Sequence, residues 1–264
     1  MGAWSPWGNF VKDREEIYEL LCAEISERRQ KLDPERSDIL TMLLLARDEE
    51  GEGMSDIELR DELMTLLIAG YETTATALAW VFYWTHHQPE VYNKLLQELE
   101  TSGDDLNPMT VIKLPYINAV CSETLRIYPL AIFTSPREAK SPITIMGKTY
   151  PAGIVLSPCI YLTHHREDLY PEPDKFKPER FLEYQYSCYE FLPFGASNRR
   201  CIGAVFAMFE MKIVLATILR RYNLALAEKQ QVKPLRRGAI LAPAGGVKMV
   251  MTGKRMQTEK NPLL

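Results

Sequence analysis

FLPFGASNRRCIGAVF, residues 191–206, sets a lone cysteine behind two arginines and ahead of a long apolar run. That run, GAVFAMFEMKIVLATILRR, has helical texture and predicts a helix over roughly 203–221. Cys201 then stands at a helix N-terminus, where orphan N–H groups stabilise a thiolate, and Arg199 and Arg200 add positive charge. Two readings are open. A buried free cysteine at a helix start is among the commonest fates of that residue. A metal ion is the other way to satisfy a thiolate that has no partner.

Upstream of the cysteine, residues 170–200 are crowded with proline and aromatic residues and have little periodicity. They read as a long irregular segment held by its own side chains, unusual enough to ask for a reason. One reason lies in ETLR, residues 123–126, where Glu123 and Arg126 are three apart on one helix face. At a surface such a pair contributes a few tenths of a kcal/mol. It matters more if Arg126 also reaches PERF, residues 178–181, because the guanidinium fork can bind a carboxylate and backbone carbonyls together.

AGYETT, residues 69–74, interrupts an otherwise apolar helix. Glycine inside a helix costs about 1 kcal/mol relative to alanine, and its benefit is close approach of another body to the backbone. Gly70, Glu72, Thr73 and Thr74 form either a small polar notch suited to proton delivery or a helix–helix contact with Glu72 at the surface. The wider stretch 63–85 carries a single charge, Glu72, and is long enough to span a bilayer. A carboxylate near its centre would cost about 2.5–3.5 kcal/mol there. A long helix through a core fits better. That helix is apolar on almost every side, with Trp80, Phe82, Tyr83 and Trp84 in its second half, so part of its surface is expected to lie exposed where the neighbours that would cover it are absent.

The remaining chain supplies bounds. Its 264 residues can build a sizeable core, and a formal charge of −4 gives no hint of nucleic acid. Five cysteines without a CxxC pair, and no signal peptide, point to a reducing cytoplasmic home. His86, His87, His164 and His165 have no zinc spacing, and no GxGxxG, P-loop or GxSxG motif occurs. Helices are expected at 12–31, from Asp38 through Arg47, from the Ser55/Glu58 capping box to about His87, from Pro89 through Glu100 and at 116–127. Short strands are expected over 130–160, and a hairpin over 230–251 with its turn near Ala244-Gly245-Gly246. The fold class is therefore mainly α with small β-sheets (α+β), over one domain of residues 1–251 with a polar tail at 252–264.

One thiolate is a recognised axial ligand of heme iron, and with that the pieces resemble the cytochrome P450 family. FLPFGASNRRCIG resembles its heme-binding loop, F-x-x-G-x-[RH]-x-C-x-G, matching at Phe194, Arg199, Cys201 and Gly203. Ser197 stands where the family normally has glycine, and Asn198 where many members have proline. AGYETT is similar to the oxygen-activation motif [AG]-G-x-[DE]-T-[TS], ETLR to the ExxR motif and PERF to its companion segment. All four occur in the family's order.

The resemblance implies heme b held by the Cys201 thiolate, with Glu72 and Thr73 delivering protons during dioxygen activation. It implies that Gly70 lets the distal helix pass close to the heme, that Arg199 and Arg137 contact its propionates, and that Phe194 tunes the iron. Glu123, Arg126 and Arg180 would form a structural triad. The implied reaction is monooxygenation of an apolar small-molecule substrate, with electrons from a ferredoxin or NAD(P)H-dependent reductase. Arg199, Arg200 and Lys212 would offer that donor a basic patch. Leu130–Thr134 would form one wall of the substrate pocket. A catalytically inactive fragment that keeps a heme- or partner-binding surface, and a peroxide-dependent heme-thiolate enzyme, are the alternatives. Family members carry a substantial N-terminal part before these motifs. The chain is therefore expected to be the C-terminal portion of a P450 fold, a fragment lacking its N-terminal part, with weak or no catalysis in isolation.

Overall fold

The computed structural model describes residues 4–103, 107–228 and 230–255. The chain falls into two compact units, residues 1–71 and 72–264.

In the first unit, α1 (Pro6–Gln30) starts earlier than the expected residue 12. Its start is fixed locally: the Ser5 hydroxyl accepts the Gly8 N–H at 3.0 Å, and Pro6 occupies the first turn, where no N–H is needed. Helix α2 (Ile39–Leu45) begins at the expected Asp38 cap and ends two residues short of Arg47. Helix α3 (Asp56–His87) opens on the expected capping box, with the Ser55 N–H donating to Glu58 Oε2 at 2.8 Å and the Glu58 N–H donating back to Ser55 Oγ at 3.3 Å. Ile25, Leu40, Leu44 and Leu59 form the core of this unit. Beneath them Arg28 donates to both Asp38 oxygens and to Thr41 Oγ1, at 2.8–3.0 Å.

The Thr41 N–H, donating to Asp38 Oδ1 at 2.9 Å, is the main force holding the Asp38 carboxyl down at about 2, with Arg28 assisting. Since the folded value lies below the ordinary unfolded one of about 3.9, the contribution is complete above about pH 4 and is lost as pH falls through about 2. Urea midpoints of the wild type should therefore fall over that window more steeply than those of Asp38→Asn, which keeps a capping oxygen but does not titrate. Parallel pH profiles for the two proteins would refute the assignment.

In the second unit, α4 (Pro89–Thr101) restarts the helix after Gln88, as the proline predicts. Helices α5 (Pro108–Val111) and α6 (Pro115–Ile127) follow. Leu114 provides no side-chain cap for α6. Glu98 of α4 replaces it, accepting the Tyr116 N–H at 2.6 Å and the Ile117 N–H at 2.8 Å. The short strands β1 (Arg137–Glu138), β2 (Ile143–Ile145), β3 (Lys148–Tyr150) and β4 (Val155–Leu156) pair antiparallel as β1 with β4 and β2 with β3. Helices α7 (Ile160–His164) and α8 (Arg180–Glu183) are brief, and α9 (Ala204–Arg221) is long. The core joins Trp80, Tyr83 and Trp84 of α3 to Leu95 and Leu99 of α4, Ile117, Val120 and Leu125 of α6, and Met211, Leu215 and Leu219 of α9.

The C-terminal strands differ from expectation. Strands β6 (Pro234–Arg237) and β7 (Ile240–Pro243) form a hairpin that turns at Gly238-Ala239, not at 244–246. Gly238 takes φ +61°, the left-handed conformation that a two-residue hairpin turn requires. Strand β8 (Met249–Lys254) instead returns to β5 (Tyr222–Leu226), with a bulge at Asn223/Leu224. Residues 252–254 of the expected polar tail thus belong to a sheet, and 256–264 lie outside the described residues.

The apolar stretch of α3 divides into a covered half and an exposed one. Trp80, Phe82, Tyr83 and Trp84 are all buried, because α4, α6 and the irregular segment cover them; Trp84 stacks on Phe176 at 4.9 Å. Exposure falls earlier on the helix, at Leu67, Ile68 and Tyr71. Among the described residues, no helix is long and apolar enough to cross a membrane.

Candidate active site

Glu123, Arg126 and Arg180 come together in the core. Glu123 and Arg126 are fully buried, and Arg180 nearly so. Arg126 donates from Nε to Glu123 Oε2 at 2.6 Å and from Nη2 to Oε1 at 2.9 Å, the geometry of a fork on a carboxylate. Arg180 Nε reaches the same Oε1 at 3.1 Å, and the Lys177 N–H donates to it at 2.8 Å. Remaining guanidinium protons go to the His164 carbonyl of α7 and to carbonyls of the irregular segment: Lys175 for Arg126, and Pro171, Glu172 and Lys175 for Arg180. A carboxylate and two guanidiniums thus tie down a stretch with little ladder of its own, which meets the desolvation cost of burying them. An aromatic series continues the restraint toward the cysteine. Tyr186 packs on Tyr170, Phe181 and Tyr184, Phe181 on Phe191, and Tyr170 Oη donates to the Glu190 carbonyl at 2.9 Å.

The loop then turns tightly. Gly195 takes φ +72° and its N–H closes on the Leu192 carbonyl at 2.9 Å. Ser197 takes φ +60°, a left-handed conformation that glycine adopts freely and a serine only with strain. A single 3₁₀ turn, Ser197–Arg199, follows, and the Cys201 N–H donates to the Phe194 carbonyl at 2.8 Å. Cys201 precedes α9 by a short turn instead of opening the helix, since Gly203 is the N-cap residue. A methyl group added at Gly203 would touch the thiol sulfur at 3.8 Å.

The Cys201 side chain is exposed. Cys121 shows the opposite state: burial pushes its thiol up to about 12, which leaves it inert. Around Cys201 the neighbours Ile202, Val205 and Phe206 are exposed as well, at 92%, 80% and 65%. Phe194 is half-buried and packs on the core, while Arg199 and Arg200 reach into solvent. Lys212 does not join them. It is half-buried, donates to the Ile112 carbonyl at 3.2 Å, and burial lowers its pKa, so it adds little to a basic patch.

The other expected residues lie on β1, on α3 and in the segment after α6. Arg137, on β1, is exposed and donates to the Ser135 and Pro136 carbonyls. Gly70 has open space where a side chain would project. Glu72 is half-exposed, with Arg237 Nε 4.0 Å from its carboxylate. In the segment Leu130–Thr134, Leu130 and Ile132 pack on the core while Ala131 and Phe133 face outward. The segment is held by a bridge from Ala131 to Ile240 and one from Phe133 to Cys159. A cavity of about 1170 Å³ lies beside Arg180 and Glu179, and one of about 480 Å³ lies behind the loop at Phe194 and Met208. Neither is lined by Cys201. His164, which carries no sequence signal beyond its place next to His165, proves to be fully buried between α6 and the loop.

The Cytochrome P450 family model matches residues 5–251. Cytochrome P450 135B1 of Mycobacterium tuberculosis is 38% identical over 254 residues, which are 94% of this chain and 52% of that protein. Cytochrome P450 137 of the same species is 36% identical, over 94% of this chain and 50% of that protein. Among solved structures, the retinoic acid-bound cyanobacterial CYP120A1 superposes with a TM-score of 0.84 at 29% identity, covering 95% of this chain and 59% of that one. CYP102L1 gives 0.83 at 26% identity, covering 93% and 57%. The chain thus spans about half the length of the curated relatives it matches.

These matches correct the expectation of a C-terminal portion, or fragment, whose N-terminal part is missing and acts as an implied partner. The family match begins at residue 5, and residues 4–71 are a compact unit with its own buried core. With all four motifs inside a match that runs through residue 251, the chain belongs to the cytochrome P450 family.

Proposed function

We propose that Cys201 is the thiolate ligand of heme b. The protein is then a monooxygenase that places one oxygen atom from dioxygen into an apolar organic substrate. One observation carries the reading: an exposed thiol sits within an exposed apolar strip, Ile202, Val205 and Phe206, on a loop braced from beneath by the Cys201–Phe194 bond. Exposed apolar surface of this kind marks a place that something covers.

The donor set fits heme. Among the described residues no cluster of three or more His, Cys, Asp or Glu side chains could hold a metal ion. A lone thiolate suffices only where the metal brings its other ligands with it, as a porphyrin does. When bound, heme would supply the activation of dioxygen and the oxygen-atom transfer. Cys201 would donate electron density as ligand, with its N–H held by the Phe194 carbonyl. Arg199 and Arg137 carry the charge to neutralise propionates. Glu72, half-exposed with Arg237 Nε 4.0 Å from its carboxylate, and Thr73 would serve proton delivery. Ala131 and Phe133 present an apolar wall, which supports an apolar substrate; the cyanobacterial relative at 29% identity binds retinoic acid. Electrons come from a separate ferredoxin or NAD(P)H-dependent reductase, for which the exposed Arg199 and Arg200 offer positive charge.

The test is optical. The chain reconstituted with heme, reduced and exposed to carbon monoxide should give a strongly red-shifted Soret band, and Cys201→Ser should lose it. Equal spectra for the two proteins would exclude thiolate ligation by Cys201.

A further inference from the structure

His164 lies at the end of α7, far in sequence from both the ExxR helix and the cysteine loop, yet it is bonded to each. Its Nδ1 is 3.2 Å from the Arg126 carbonyl, which can only accept, so Nδ1 carries the proton. Its Nε2 is therefore a lone pair, and the Leu192 N–H donates to it at 3.0 Å. Its own carbonyl accepts from Arg126 Nη1 at 2.8 Å, which makes the link to Arg126 reciprocal. The ring is fully buried, stacked on Phe191 at 5.4 Å and edge-on to Tyr170 at 6.2 Å.

We infer that His164 is a positioning residue for the cysteine loop, transmitting the rigidity of the Glu123–Arg126–Arg180 cluster to the backbone that presents Cys201. The route is short. Leu192 accepts the Gly195 N–H at 2.9 Å and so closes the turn, and Phe194, between them, accepts the Cys201 N–H at 2.8 Å. Leu192 is itself buried, so its N–H has no water to turn to if the imidazole is removed. Burial holds the imidazole neutral, with its pKa depressed to about 3, and this keeps the Nε2 lone pair available. The inference rests on the heme-thiolate reading only for what the loop presents; the mechanical link stands on the bonds themselves.

Three measurements test it. Imidazole ¹⁵N shifts of the wild type between about pH 6 and pH 8 should show protonated Nδ1 and unprotonated Nε2; the opposite tautomer overturns the inference without any variant. Amide exchange at Leu192 and through residues 194–201 should quicken roughly tenfold in His164→Phe, which keeps the ring stack but neither bond. His164→Gln, which restores an acceptor toward Leu192, should bring it back toward wild type. In the heme-loaded protein, His164→Phe should move part of the reduced carbon monoxide band from the thiolate position to the non-thiolate one, again with recovery in His164→Gln. Wild-type exchange and a full thiolate band in His164→Phe would overturn the inference. A wild type that lacks the red-shifted band sinks the heme reading alone, and the exchange rates then decide the loop inference by themselves.

Discussion

Arg126→Ala should lower the stability of the second unit by about 3–5 kcal/mol, the range for breaking a buried ion pair by removing one partner. Glu123 stays behind as a fully buried carboxylate with only Arg180 and the Lys177 N–H left to it. The His164 carbonyl loses its 2.8 Å donor, and the Lys175 carbonyl one of its two. Arg126→Lys should recover only part of the loss. An ammonium keeps the charge, but it cannot bond both carboxylate oxygens and the segment's carbonyls from one plane. Urea unfolding followed by the emission of Trp80 and Trp84, both buried in this unit, reads the change. A loss under about 1 kcal/mol, within the range of an exposed pair, would mean that the cluster is not the brace its geometry implies.

Trp80→Ala should cost a similar amount, about 3–5 kcal/mol for the deleted side chain. Trp80 is fully buried, with Tyr128 at 4.3 Å and Tyr83 at 5.8 Å between ring centroids. Its Nε1 also donates to the Leu241 carbonyl at 3.0 Å, while the Leu241 N–H donates to the Leu130 carbonyl at 2.9 Å. This one indole therefore fixes both β7 and the start of the segment proposed as a substrate wall. Trp80→Phe separates the two roles. It restores most of the apolar volume but not the donor, and should remain about 1 kcal/mol below wild type, with faster amide exchange at Leu241. Equal exchange at Leu241 in wild type and Trp80→Phe would show that the hydrogen bond does not hold the strand.

Much of the helical order was legible because its signals are local. Pro89 and Pro115 begin helices where the missing N–H costs nothing, the Ser55/Glu58 box opens α3, and Asp38 caps α2. The misses came where two local signals competed or where partners lie far apart. Both Gly238 and Gly245-Gly246 are able to turn a hairpin, and the choice between them depended on β8 finding β5. Which part of the apolar stretch 63–85 stays exposed was decided by distant segments: Phe176 and its neighbours cover Trp84, while Leu67, Ile68 and Tyr71 lie open.

The same division holds for the candidate site. Residue types and short spacings determined the four motifs and their order, since each depends on neighbours within a few residues. Only the tertiary structure decided which of those residues meet. Glu123 and Arg126 are a helix pair of little value until Arg180 and the carbonyls of 164–175 close around them. His164 is one of two adjacent histidines until burial fixes its tautomer and aims Nε2 at Leu192. Spacing along one element is written into the order of the residues, whereas a bond across many residues exists only once packing has excluded water from both of its ends.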